Sequence, residues 1–233
     1  MESSHLNIHL ERDELGRNIG GAIPKGATIL IEGVPGSGKS LMAQRLLFGL
    51  IDNGHTASYI STELNLLGFV KQMNSLGYSV SNEIMDEKLT FLSLVPQIGE
   101  SELRKNMIFD LLTSKRIFET DCVIVDMVTD YMVDHDMGKE DTFRIVKLLR
   151  QINSLGKTII FCVEEGQVNQ VFLDALRTTS DVYFFTEAKM ILGSMLRILN
   201  VKRFKMPAGE VTMAVPFKVI PGAGFSVEIA SLS

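Results

Sequence analysis

Apolar positions along this chain fall into two alternating rhythms. Short, nearly unbroken apolar runs at Thr28 to Glu32, Ala57 to Ser61, Leu89 to Val95, Cys122 to Asp126, Thr158 to Val163 and Val182 to Phe185 predict buried strands. Between them, apolar residues recur at helical spacing. Leu41 to Leu50 is one such stretch. The others are Leu66, Leu67, Val70, Met73 and Leu76; Leu103, Met107, Leu111 and Leu112; and Phe143, Val146, Leu149 and Ile152. Gly54, Gly77 and Gly156 stand where three of these helices should stop. Strands alternating with helices predict a three-layer α/β fold, a mainly parallel central sheet with helices on both faces. Past Gly193 the rhythm changes. Met195 to Phe204, Val211 to Val219 and Phe225 to Ile229 alternate with turn signals at Pro207-Ala208-Gly209 and Pro221-Gly222-Ala223-Gly224, which predicts a C-terminal antiparallel extension. No linker, repeat or low-complexity tract interrupts residues 1–233, so one domain is expected.

The stretch Gly33-Val34-Pro35-Gly36-Ser37-Gly38-Lys39-Ser40 has the form G-x-x-x-x-G-K-S, with a predicted strand before it and a helix from Leu41 after it. That context is what a phosphate-binding P-loop requires. Its glycines let backbone N–H groups curl around a phosphate without a Cβ in the way. The new helix adds the partial positive charge of its N-terminus. Val34 to Leu41 thus form the expected nucleotide cradle, with Lys39 bringing a cation to the β- and γ-phosphates. The Ser40 hydroxyl is expected to ligate Mg²⁺. A nucleoside triphosphate, ATP with Mg²⁺, is the expected ligand.

A metal–triphosphate site needs a second carboxylate, normally where a buried strand ends. Asp121-Cys122-Val123-Ile124-Val125-Asp126 has that pattern, and Asp126 is expected to hold the metal directly or through water. Hydrolysis further needs a group that orients or deprotonates the attacking water. Glu63, closing Tyr59-Ile60-Ser61-Thr62-Glu63, stands at the right edge of the sheet for this. It equally suits an ordinary acidic place in the first turn of the next helix. Both readings stay open at this level.

Composition sets outer limits. At 233 residues and 45% hydrophobic, the chain can bury a full α/β core. A net charge of −5 argues against broad nucleic-acid binding, which needs a basic footprint. No apolar stretch is long enough to span a membrane, and Met1-Glu2-Ser3-Ser4-His5 lacks the layout of a signal peptide, so a cytoplasmic protein is expected. Cys122 and Cys162 fall inside predicted strands and suit core thiols better than a disulfide.

Several segments together resemble one family. Leu15-Gly16-Arg17-Asn18-Ile19-Gly20-Gly21-Ala22-Ile23-Pro24-Lys25-Gly26, the P-loop, Tyr59 to Glu63, and Gln72-Met73-Asn74-Ser75-Leu76-Gly77-Tyr78 resemble the KaiC/RecA superfamily of ATPases, and within it the archaellum accessory ATPases, FlaH. The resemblance covers nearly the whole chain. It implies a RecA-like core and a cytoplasmic role at the base of the archaeal motility motor, beside its motor ATPase and membrane platform protein. It also implies weak or undetectable ATP turnover and a homo-oligomeric ring, a hexamer. In KaiC-like relatives two adjacent glutamates close the second strand, whereas here Thr62 takes the first place and Glu63 the second. Met127 stands where relatives carry Ser or Thr after the Walker B aspartate.

Ring-forming relatives also send basic residues across the interface from a late strand. Here the corresponding slots are Asn200 and Lys202. Lys202 is either a contact to a neighbour's γ-phosphate or, with Arg203, part of a solvated pair on an edge strand. The segment Asp130-Tyr131-Met132-Val133-Asp134-His135-Asp136 suits a solvated acidic loop better than a metal cluster. Its acidity also disfavours a recombinase-like, DNA-dependent ATPase. Glu164-Glu165 ends a strand where relatives place a polar γ-phosphate sensor, and two carboxylates there would repel a triphosphate. They are expected to be loop or interface residues.

Overall fold

The computed structural model describes residues 3–94, 107–129, 132–133, 136–191 and 194–228. In chain order its elements begin with β1 (His5–Asn7), α1 (Leu15–Asn18), β2 (Ala22–Pro24), β3 (Thr28–Gly33), α2 (Lys39–Asp52) and β4 (Ala57–Ser61). There follow α3 (Leu66–Ser75), α4 (Ser81–Met85), β5 (Leu89–Ser93), α5 (Met107–Thr113), β6 (Cys122–Val128), α6 (Lys139–Ser154) and β7 (Thr158–Glu164). The chain continues with α7 (Gln170–Thr179), β8 (Val182–Ile191), β9 (Ser194–Phe204), β10 (Ala214–Ile220) and β11 (Gly224–Val227).

The main sheet has nine strands in the order β11-β10-β9-β8-β3-β7-β6-β4-β5. From β8 to β5 every neighbouring pair is parallel, and β9, β10 and β11 add antiparallel strands beyond β8. A separate β1–β2 ribbon lies at the N-terminal end.

The unbroken apolar runs become intelligible in three dimensions. Successive strand side chains point to opposite faces, so a strand covered on both sides must be apolar throughout. Ile29 and Ile31 of β3, Ile124 of β6 and Ile160 of β7 join one core layer with α2 and α3. Leu30, Val123, Val125, Ile159, Phe161 and Val163 join the other, where Ile108 of α5, Ile145 and Leu149 of α6, and Phe172 and Leu176 of α7 complete it. Cys122 and Cys162 are free, buried thiols. Among the described residues, no helix is long and apolar enough to cross a membrane.

Several expectations need correction. In α3 the buried residues are Phe69 and Met73, while Leu66 and Leu67 are exposed. In α6 the buried face is Thr142, Ile145, Leu149 and Ile152, and Phe143 stands outside it. An apolar residue at helical spacing does not fix which neighbour shares its face, and exposed apolar residues are common. β8 runs to Ile191, well past Phe185, because its hairpin with β9 continues beyond the parallel sheet. β9 is no edge strand, since β8 and β10 flank it. Val95, Leu103, Gly193, Ile229 and most of the acidic segment at 130–135 lie outside the described residues.

One buried ion pair ties the N-terminal segment to the sheet. Arg45 of α2 and Asp13 are both fully buried; Arg45 Nη2 donates to Asp13 Oδ1 at 2.8 Å, and its Nη1 donates to the Ile8 carbonyl at 2.9 Å. Removing one partner strands the other charge in the core. Asp13→Ala is therefore expected to cost about 3–5 kcal/mol of stability, read from urea unfolding curves. A loss below about 1 kcal/mol would show that Arg45 finds water or another partner instead.

Candidate functional site

β3 ends at Gly33 in the middle of the parallel strands, with β7 on one side and β8 on the other. The chain then turns through Val34, Pro35 and Gly36 at the surface, dips inward at Ser37, and enters α2 at Lys39. The turn uses backbone that L-residues disfavour: φ is +70° at Gly36 and +97° at Gly38, which glycine adopts without steric cost. Gly38 is the N-cap of α2 and offers no side chain to its first-turn amides. Those amides have no intrahelical acceptor either, so an anion is their natural partner.

The loop is pinned from the side by β8 and by the antiparallel extension beyond it. Ser37 Oγ and Thr186 Oγ1 of β8 are 2.7 Å apart and buried. Arg197 of β9 donates from Nε to the Gly36 carbonyl at 3.2 Å. A Cβ built at Gly38 would come within 3.1 Å of the Phe217 ring of β10 and 3.2 Å of Arg197 Cδ. The extension therefore braces the cradle within the same chain.

Gly36, Gly38, Lys39, Ser40, Leu41, Glu63, Gln72, Met127 and Glu164 line one open cavity of about 280 Å³. Ser40 Oγ donates to Asp126 Oδ1 at 2.8 Å, so the two side chains expected at the metal site already touch. The other oxygen, Oδ2, accepts from the buried Tyr59 hydroxyl. Burial pushes the Asp126 carboxyl above the usual range, the hydrogen bonds from Tyr59 and Ser40 pull it back, and the nearby Glu63 charge raises it again. Burial and the Asp126 charge likewise push Tyr59 well up, which keeps its hydroxyl a donor. Hard oxygen donors of this kind fit magnesium. Ser40 and Asp126 would hold it, and it would offset phosphate charge at the mouth of the cradle.

Glu63 lies two residues beyond β4 and before α3, whose N-cap is Asn65. A place in the first helical turn is thus ruled out. Its backbone N–H donates to Ser61 Oγ at 3.3 Å, and its side chain lines the cavity with Lys39 and Ser40. Thr62 and Met127, the two departures from the relatives' pattern, are partners. Thr62 Oγ1 donates to the Met127 carbonyl at 2.9 Å, so this hydroxyl serves the β4–β6 junction.

Lys202 does not line this cavity. It is exposed, with Nζ 5.7 Å from the centre of the Phe185 ring. Arg203 turns the other way and donates to the Arg177 and Ser180 carbonyls at the end of α7, at 2.7 and 2.9 Å. A register irregularity near Tyr183 and Phe184 falls beside these two residues. Asn200 donates to Glu187 Oε1 at 3.0 Å. The expected solvated edge pair is therefore split between two tasks.

Sequence reasoning missed three features. Glu164 is not a loop residue: it ends β7, opposite Gly33 of β3, and its Oε2 lies 2.9 Å from Lys39 Nζ. Glu32, fully buried one residue before the P-loop, is held by Arg177 and by the Tyr183 hydroxyl at 2.8 Å. Arg197 reaches the P-loop from β9. The one available signal was a charged residue, Glu32, within an apolar strand, which demands a partner.

The sign of the Asp126 shift has a measurable consequence. Its folded-state pKa is raised, so the site's contribution to stability is full below the ordinary carboxylate range and is lost as pH rises through the folded value. Asp126→Asn removes that penalty. The nucleotide-free variant is expected to melt above the parent at pH 7, with the gap narrowing as pH falls into the ordinary carboxylate range, by thermal denaturation.

Comparison with known proteins agrees with this geometry. A family model described as ATPase: KaiC matches residues 12–227. The archaeal flagellar ATP-binding protein FlaH of Methanocaldococcus jannaschii is 30% identical over 226 residues, 97% of each chain. The protein of the same name from Methanococcus voltae is 29% identical over 229 residues, covering 98% of this chain and 99% of that one. The crystal structure of the flagellar accessory protein FlaH from M. jannaschii matches with a TM-score of 0.89, at 29% identity over 97% of this chain and 100% of the other. A KaiC-like protein from Pyrococcus horikoshii matches with a TM-score of 0.71 at 15% identity over 93% of this chain and 96% of its own, a likeness of fold. The chain belongs to the FlaH family of KaiC-type, RecA-like ATPases.

Proposed function

We propose that this chain is an ATP-binding regulatory component of the archaeal motility motor, whose nucleotide occupancy controls docking on the motor ATPase and membrane platform. Val34 to Leu41 cradle the phosphates of ATP, Lys39 supplies the cation, and Ser40 with Asp126 holds Mg²⁺. The observation that carries the reading is the Ser40–Asp126 contact at 2.8 Å beside a P-loop braced by Thr186 and Arg197. A binding site is thus preformed. The relatives' names, archaeal flagellar ATP-binding protein, support the setting.

Turnover in this reading is slow. One glutamate, Glu63, is left to orient water, and the Thr62 hydroxyl is taken up by the Met127 carbonyl. The protein acts in the cytoplasm at the membrane-associated motor, as a homo-oligomeric ring of hexameric order. Lys202, exposed and outside its own chain's cavity, is free in geometry to meet a neighbour. ATP shifts such an assembly only by binding one of its states more tightly than another.

A second reading, an active ring ATPase, is favoured by the presence of Glu63 in the same cavity as Lys39 and Ser40. One paired experiment separates the two: ATP affinity and phosphate release on the same protein across a wide concentration range. The switch reading expects binding at every concentration with little release. Release that climbs with protein concentration and falls in Glu63→Gln would establish the motor instead. In either case Lys39→Ala is expected to weaken ATP binding by about a hundredfold or more, measured by calorimetry.

A further inference from the structure

An ammonium group has three protons, and in this structure Lys39 spends all three on the protein. Its Nζ donates to the Gly33 carbonyl at 3.1 Å, to the Val34 carbonyl at 2.9 Å, and to Glu164 Oε2 at 2.9 Å. The two carbonyls belong to the loop itself and can persist while Lys39 leans over a phosphate. Glu164 is different. It is an anion at the position where a second anion must arrive.

Its placement is fixed by the sheet. Glu164 closes β7 directly opposite Gly33 of β3, and its side chain lines the phosphate cavity. The next residue is held away from that cavity: Glu165 Oε1 lies 3.4 Å from Arg177 Nη2, which also binds the buried Glu32. The turn closes with the Gln167 N–H on the Glu164 carbonyl at 3.1 Å. Only one of the two carboxylates therefore faces Lys39. The pair is largely withdrawn from water, with Lys39 5% and Glu164 19% exposed, so solvent screens their charges little.

A diphosphate and a triphosphate meet this arrangement differently. The β-phosphate is received by loop and helix amides, with Lys39 able to assist from where it stands. The terminal phosphate needs Lys39 itself and places further negative charge beside Glu164. Like charges at such distances oppose each other strongly in a partly desolvated site. Resting on the nucleotide-binding reading above, we infer that Glu164 is a specificity-determining residue: it occupies the Lys39 site in place of the terminal phosphate and holds the affinity for ATP down relative to ADP. Occupancy by ATP then follows the ratio of ATP to ADP rather than total nucleotide.

The test is calorimetric titration of the full chain with Mg²⁺ and either ADP or a non-hydrolysable ATP analogue, on the parent, Glu164→Gln, Glu164→Ala and Glu165→Gln, each checked for a parent-like melt. Both Glu164 variants are expected to tighten the triphosphate analogue about tenfold while moving ADP by less than about twofold. Glu165→Gln is expected to leave the ratio of the two affinities unchanged. Equal tightening of both ligands, no change, or a weakened analogue in Glu164→Gln would overturn the assignment while leaving nucleotide binding intact. A parent that binds neither ligand would overturn the nucleotide reading itself.

Discussion

A phosphate cradle works only if its backbone cannot drift, and this one hangs from a strand paired along its length on both sides. β3 is in register with β7 from Thr28↔Ile159 to Gly33↔Glu164 and with β8 from Ile29↔Val182 to Gly33↔Thr186. Two contacts of the loop follow directly from that double pairing. It delivers Thr186 to Ser37 on one side of the loop and Glu164 to Lys39 on the other. The helix that leaves the loop is anchored in turn, since Arg45 on its buried face is tied to Asp13 and the Ile8 carbonyl. The antiparallel strands, which look peripheral in the strand order, close the remaining side through Arg197 and Phe217.

The same rigidity carries charge into places where charge is costly. Asp126 is a buried carboxylate steadied by Tyr59 and Ser40, and Glu32 is a buried carboxylate steadied by Arg177 and Tyr183. Their roles differ. Glu32 is satisfied by its partners and braces the sheet beneath the loop. Asp126 remains above its ordinary carboxylate range and sits behind Ser40, which lines the cavity, an arrangement that would gain from an arriving cation. Binding energy and resting stability are thus set against each other at one residue.

Much of this was legible in the sequence, for a physical reason. The P-loop and the Asp126 strand are local patterns: their residues must be adjacent in the chain for the chemistry to work. The parallel sheet was legible because burial on both faces leaves apolar runs without alternation. What stayed hidden depends on pairing between distant segments. Glu164 meets Lys39 across 125 residues, and nothing near either residue announces it. Glu63 was recognisable as an acidic residue, but its place outside the helix turned on where α3 begins, at Leu66. The different tasks of Lys202 and Arg203 follow from strand alternation beside a register irregularity. Helix phase failed at Phe143, Leu66 and Leu67, because spacing alone does not say which face meets the sheet.

The central claim is that occupancy of the Gly33–Ser40 cradle is a signal to a partner and not chiefly a step in fuel consumption. The most direct measurement is the affinity of this protein for the archaeal motor ATPase, by biolayer interferometry, without nucleotide, with ADP and with a non-hydrolysable ATP analogue. The account predicts at least about tenfold tighter docking with the analogue than without nucleotide, a coupling lost in Lys39→Ala. Equal affinity in all three conditions would contradict it.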